Sequence, residues 1–166
     1  MWVGMRACDL DLVDLIGSVV HPGLPEGRGV LAERFGLYPS GCMVLVDGGR
    51  VVGYGVAHPW VLGSAPPLDS FLGGLPGSAS CVYVHDVAIL PGFRGGRSRG
   101  YLESMRNLGF DSLAMVAVYG TEVLWGRYGF VPESGVEVGS YGRATYMWRT
   151  NPVGFGSGRF GSGSCV

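Results

Sequence analysis

Apolar side chains recur along this chain with two different periods. Between Leu10 and Val20 they fall at Leu10, Val13, Leu15, Ile16, Val19 and Val20, a stripe at helical spacing. Asp9 or Asp11 can cap this helix, and His21-Pro22-Gly23 ends it. Val3 to Ala7 is a short strand ahead of it, and Gly29 to Phe35 a second short helix closed by Gly36. The period then shortens to that of strands. Cys42 to Val46 and Arg50 to Ala57 flank Asp47-Gly48-Gly49 and predict a hairpin. Residues 59 to 80, rich in proline and glycine, predict a long loop, of the kind that is usually functional or mobile. Val82 to Leu90 is apolar at both parities, as a central strand buried on two faces should be. A Gly/Arg loop from Gly92 to Arg99 leads to a helix from about Gly100 to Leu108. Ser112 to Val118 is another buried strand, Thr121 caps a helix reaching Tyr128, Gly129-Phe130 starts an edge strand, and Ala144 to Trp148 is the last strand.

This order predicts an α/β (α+β) fold with one mixed sheet flanked by helices. The chain of 166 residues is of single-domain size. From Pro152 it alternates glycine with serine, phenylalanine and arginine. The expected organisation is therefore one domain over residues 1–150 and a Gly/Ser-rich flexible tail over 151–166.

Composition narrows the function classes. Apolar residues make up 47% and charged residues 15% of the chain, enough apolar surface to offset the entropy of ordering. The 31 glycines keep no period of three, which excludes collagen. A net charge of −1 argues against a general nucleic-acid binder. The four cysteines are widely spread, with no pair at zinc-ligand spacing, so no metal is expected. Cys42 and Cys81 read as small strand hydrophobes in a reducing compartment. No apolar run approaches the ~18 residues of a membrane span, and the first residues lack the pattern of a signal peptide. A cytoplasmic protein without membrane contact is the expectation.

The chemistry is concentrated after the central strand. A strand that ends in a glycine-rich turn at a helix start aims free backbone N–H groups outward, and the helix dipole adds positive potential there. Arg94, Arg97 and Arg99 bring three guanidinium groups to the same turn. This is a phosphate-binding arrangement.

Val87-Ala88-Ile89-Leu90-Pro91-Gly92-Phe93-Arg94-Gly95 resembles the central strand and pyrophosphate loop of the GCN5-related N-acetyltransferases (GNAT). Asp47-Gly48-Gly49-Arg50-Val51-Val52-Gly53-Tyr54 looks like that superfamily's hairpin. Val116 to Gly120 with Leu124 to Phe130 looks like its fifth strand and following helix. The resemblance covers roughly residues 3 to 149. It implies a central mixed sheet with two parallel strands that splay apart, and acetyl-coenzyme A as cosubstrate in the splay. It further implies direct attack of a primary amine on the thioester, with catalysis by positioning and proton management. By this resemblance the cosubstrate residues are Val87, Ala88 and Ile89 on the strand and Arg94, Gly95, Gly96, Arg97, Arg99 and Gly100 on the loop. His85 is the leading base, beside Asp86 where relatives carry acidic pairs. Adjacent strand positions face opposite sides, so only one of the two is expected in the acceptor cleft. His58 and Asp69, which flank the long loop, are candidates for shaping the acceptor pocket. The expected partner is a small-molecule or peptide amine, with no nucleic acid; a homodimer is compatible with the chain.

Two positions depart from the superfamily pattern. Its loop reads Arg/Gln-x-x-Gly-x-Gly/Ala, and counted from Arg94 the two glycine positions hold Arg97 and Arg99. Many members place a tyrosine acid four residues before the Gly-Phe pair, where this chain has Trp125; of the nearby phenols Tyr119 and Tyr128, Tyr119 is the catalytic candidate beside His85 and Asp86. The departures leave a second reading open, a catalytically impaired binding or scaffold protein on the same fold. It would be favoured if arginine side chains filled the phosphate site. A third reading is an anion- or nucleic-acid-binding module using Arg94, Arg97, Arg99 and Arg106.

Overall fold

A computed structural model describes residues 1–151; the predicted flexible tail, apart from Asn151, lies outside the described residues. Seven strands form one sheet: β1 (Trp2–Gly4), β2 (Cys42–Asp47), β3 (Arg50–Trp60), β4 (Cys81–Ile89), β5 (Ser112–Val118), β6 (Val131–Pro132) and β7 (Ala144–Thr150). Their spatial order is β1-β2-β3-β4-β5-β7-β6. Only β4 and β5 run parallel. The helices are α1 (Leu10–Val20), α2 (Arg28–Leu37), α3 (Ser98–Ser104) and α4 (Glu122–Gly126). No helix among the described residues is long and apolar enough to cross a membrane.

The first predicted strand is shorter than its apolar pattern. Arg6 N–H donates to Asp9 Oδ2 at 2.8 Å, which bends the chain into a 3-10 turn at Ala7–Asp9. The α1 stripe is also narrower than expected. Leu10, Val13 and Ile16 are buried, whereas Leu15 and Val19 face solvent. With Leu31 of α2 the buried three pack against Cys42, Val44, Tyr54, Val56 and Ala88. Each such aliphatic side chain stabilises the fold by about 1.5–3 kcal/mol.

The opposite sheet face carries α3 and the 3-10 turn that continues it, Met105–Leu108. Tyr101, Leu102 and Met105 fill it against Ala57, Val82, Val84, Leu113 and Met115. The β4 sequence is apolar at both parities for this reason: Val82 and Val84 face α3, while Cys81 and Tyr83 enter a third cluster with Ala114 and Tyr146. The hairpin forms as predicted, with Gly48 and Gly49 at φ 54° and 77°, the left-handed pair that a two-residue turn demands. The return strand continues past Ala57 because His58, Pro59 and Trp60 keep pairing with β4.

Two features of register position the site. Parallel pairing of β4 with β5 is confined to Val82–Val84 against Leu113–Met115. Beyond it the strands diverge, and β4 from His85 to Ile89 has paired backbone only toward β3. Second, Val56 pairs with Asp86 while Ala57 pairs with Val84. His85 is thus the extra residue of a β-bulge, where the alternation of side chains slips by one.

Candidate active site

The diverging strands open a cleft of about 700 Å³ beyond the carboxyl end of their shared pairing, where parallel α/β sheets place ligands. One end is lined by Arg94, Gly95, Gly96, Arg97 and Ser98, the other by His21, Glu26, Leu68, His85, Asp86 and Tyr141. Val87 and Ile89 run between them.

At the loop end Gly95 and Gly96 adopt φ 93° and 81°, a backbone that side-chain-bearing residues disfavour. The Arg94 Nε–H folds back onto Ile89 O at 3.1 Å. The loop is tied to β1 by the Trp2 indole N–H, which donates to Arg97 O at 2.8 Å. The arginines at the two glycine positions turn outward. Arg97 pairs with Asp47 at 3.3 Å, and Arg99 with Glu103 one helical turn on, at 3.1 Å. Arg99 and Gly100 do not line the cleft, and Gly100 packs against the Trp2 ring. Ala88 is fully buried in the α1 cluster, away from the cleft.

At the far end the bulge corrects one expectation: His85 and Asp86 point to the same side of the sheet. His85 Nε2 lies 2.7 Å from Glu26 Oε2 and 3.0 Å from Oε1. Its side chain is 0% exposed, against 10% for Glu26. Asp86 accepts a short hydrogen bond from the Tyr54 hydroxyl. His21 Nε2 lies 3.0 Å from Asp86 Oδ1, at ion-pair distance but outside good hydrogen-bond alignment. The cleft therefore ends in two histidine–carboxylate pairs. Glu26 and His21 both come from the segment between α1 and α2.

The field within this cluster sets its charge. Burial raises the Glu26 carboxyl pKa, but the charge and hydrogen bond of His85, with Arg34 behind, outweigh it and hold it below the usual value. Burial acts on Asp86 in the same way, and His21 and Tyr54 overcome it. For His21 burial pulls downward, but Asp86 and then Glu26 leave it raised. The Tyr54 hydroxyl is pushed well above its ordinary value by burial and by Asp86, so it stays a donor. Near neutral pH the cluster holds two carboxylates and a readily protonated His21.

Tyr119 follows β5 with φ 55°. It is half exposed, lines the cleft, and stacks on His21 with ring centroids 5.8 Å apart and planes 3° from parallel. Trp125 lines the wall, its indole N–H donating to Thr121 Oγ1 at 3.0 Å. Tyr128 is outside the lining and receives the Ser98 hydroxyl at 3.3 Å. His58 is buried behind His85, edge-on to Trp60, with its pKa pushed down to about 3 by burial and then by His85.

Of the sequence-predicted residues, the cleft gathers His85, Asp86, Tyr119, Val87, Ile89, Arg94, Gly95, Gly96 and Arg97. Ala88, Arg99 and Gly100 stand outside it. His21 and Glu26 escaped the sequence reading. Their signal was a histidine and a glutamate five positions apart in a Pro/Gly-rich turn between two helices.

No protein-family model matches this sequence, and neither does any curated protein. Solved structures do resemble it. A GNAT-like decarboxylase, GphF, in complex with isobutyryl-CoA superposes with a TM-score of 0.72 at 16% identity, over 90% of this chain and 98% of that one. Ard1 from Thermoplasma volcanium gives 0.69 at 16% identity, over 90% and 96%. Arabidopsis thaliana Naa50, in complex with a bisubstrate analogue of coenzyme A and a peptide, gives 0.66 at 12% identity, over 90% and 97%. The chain has the GNAT fold.

Proposed function

We propose that this GNAT-fold chain transfers an acyl group, acetyl in the simplest case, from a coenzyme A thioester to an amine. The observation that carries the reading is the continuity of the cleft. A glycine–arginine turn suited to a diphosphate and a paired proton-handling cluster open onto one space along the side of β4 that β5 leaves unpaired. The outward turn of Arg97 to Asp47 and of Arg99 to Glu103 favours this over a scaffold whose arginines block the phosphate site. That isobutyryl-CoA accompanies GphF and a coenzyme A-containing bisubstrate analogue accompanies Naa50 in their structures is consistent with it.

In this reading Arg94 and the backbone amides from Gly95 to Arg97 hold the diphosphate, while the Arg97 side chain stays on Asp47, and β4 backbone from His85 to Ile89 aligns the thioester arm. The amine nitrogen attacks the carbonyl carbon. Its proton passes to the Glu26 carboxylate, directly or through one water. His85 is too buried to touch the amine and acts by fixing Glu26. The C–S bond then breaks with its electron pair going to sulfur, and the protonated His21 returns a proton to the thiolate. Tyr119 keeps the His21 ring in plane, and Asp86 keeps it charged.

Calorimetry with coenzyme A and acetyl-coenzyme A tests the first half. Binding is expected, and Arg94→Ala should weaken it by about tenfold, the worth of one charge-assisted hydrogen bond. Arg99→Ala should leave it unchanged. Absence of heat at millimolar ligand refutes the proposal. Once an amine acceptor is found, Glu26→Gln should lower kcat without altering coenzyme A affinity.

A further inference from the structure

The loop between β3 and β4 is bound to the rest of the fold through side chains. Pro66 O accepts the Tyr141 hydroxyl at 2.8 Å, and Leu68 N–H donates to Ser140 Oγ at 3.0 Å. Leu72 and Gly73 N–H donate to the two oxygens of Glu33 at 2.7 and 2.9 Å. Buried Arg34 donates to Ser70 O at 3.1 Å. The central tie is reciprocal: Gly27 N–H donates to Asp69 Oδ1 at 2.6 Å, and Asp69 N–H donates to Glu26 Oε1 at 3.1 Å.

Three properties make this tie more than a loop anchor. Glu26 Oε1 is shared, because it also lies 3.0 Å from His85 Nε2. Asp69 is held at φ 50°, a left-handed backbone uncommon for any residue with a side chain, aspartate included. Leu68, its neighbour, forms part of the cleft wall. Lifting the segment removes an N–H donor from Glu26 and opens the wall at the same moment. Asp69 also supplies the carboxylate at the start of α2, whose own N-cap residue, Gly27, has no side chain.

We propose that residues 66–73 form a latch over the far end of the cleft, and that Asp69 is the positioning residue that couples latch closure to the orientation of the Glu26–His85 pair. A closed latch holds Glu26 between the Asp69 amide and His85. An open latch frees one carboxylate oxygen and admits a molecule past Leu68. That this molecule is the acyl acceptor rests on the acyltransferase reading; the coupling itself does not.

The coupling is read on the full chain without turnover. Asp69→Gly suits the backbone but removes the bond to Gly27. It should speed amide exchange at Leu68, Asp69, Leu72 and Gly73 by about tenfold, the factor for losing one net hydrogen bond, and should shift the His85 ring nitrogen resonances. Asp69→Asn keeps an acceptor oxygen and should restore both. By reciprocity, His85→Leu should loosen the same four amides, although His85 touches none of them. If Asp69→Gly loosens the segment while the His85 resonances stay in place, the segment is a plain loop and the proposal falls. It falls equally if Asp69→Asn fails to rescue. Loss of coenzyme A binding would sink the acyltransferase reading and leave this result standing.

Discussion

Asp86→Asn should convert His21 from a readily protonated group into one that resists protonation. The substitution keeps an oxygen for the Tyr54 hydroxyl and removes the charge 3.0 Å from His21 Nε2. At that distance, with an effective dielectric constant near 20, the attraction is about 5.5 kcal/mol. Burial, the largest influence on His21, acts in the opposite direction and is unopposed by Asp86 in the variant. Glu26 remains and softens the fall, so the His21 pKa is expected to drop in the variant, with burial left as its dominant influence. Proton NMR of the imidazole ring against pH reads this directly, since the chain has only three histidines. Stability should follow. Asp86 is lowered in the fold, so its contribution is present above its unfolded value of 3.8 and disappears as pH falls through the folded value. His21 is raised, so its contribution is complete below 6.5 and disappears as pH rises through its folded value. The pair therefore stabilises most between these limits. Near pH 5 the variant should lose roughly 1.5–3 kcal/mol, and less once His21 is neutral in the parent. A His21 midpoint that stays put or rises in the variant would refute the reasoning.

Two further outcomes follow from buried groups. His58, with its pKa pushed down to about 3, stays neutral in the fold while the unfolded chain takes a proton below 6.5. Stability should fall with acidification across that window, and between pH 7 and 4.5 His58→Gln should shrink the drop in unfolding free energy by about 2–3 kcal/mol, measured by denaturant titration. A Cβ on Gly55 would overlap the buried Tyr101 ring. Gly55→Ala should therefore cost about 1–3 kcal/mol or more, whereas Gly36→Ala, on open helix surface, should add about 0.5–1 kcal/mol; thermal melts distinguish the signs.

The site was partly legible because some of its parts are local. Arg94, Gly95 and Gly96 lie in one turn, and His85 sits in an apolar strand where a polar ring stands out. Glu26 was not legible. Nothing in the Pro25-Glu26-Gly27 turn marks a partner fifty-nine positions away. Arg97 and Arg99 looked like obstructions in the loop sequence. Their direction depended on Asp47 across the sheet and Glu103 along the helix.

By itself the sequence determined the elements, their order, the hairpin turn and the strand buried on two faces. These follow from periodicity, backbone preference and burial, which act between residues close along the chain. Only the tertiary structure decided that β4 carries one more residue than β3 between paired positions, so that His85 and Asp86 share a face. It also decided where β4 and β5 part and which carboxylate each histidine meets. Those outcomes belong to register and to helix placement. They are settled when distant segments pack, because a buried charge must find an opposite charge or a donor, whatever its place in the chain.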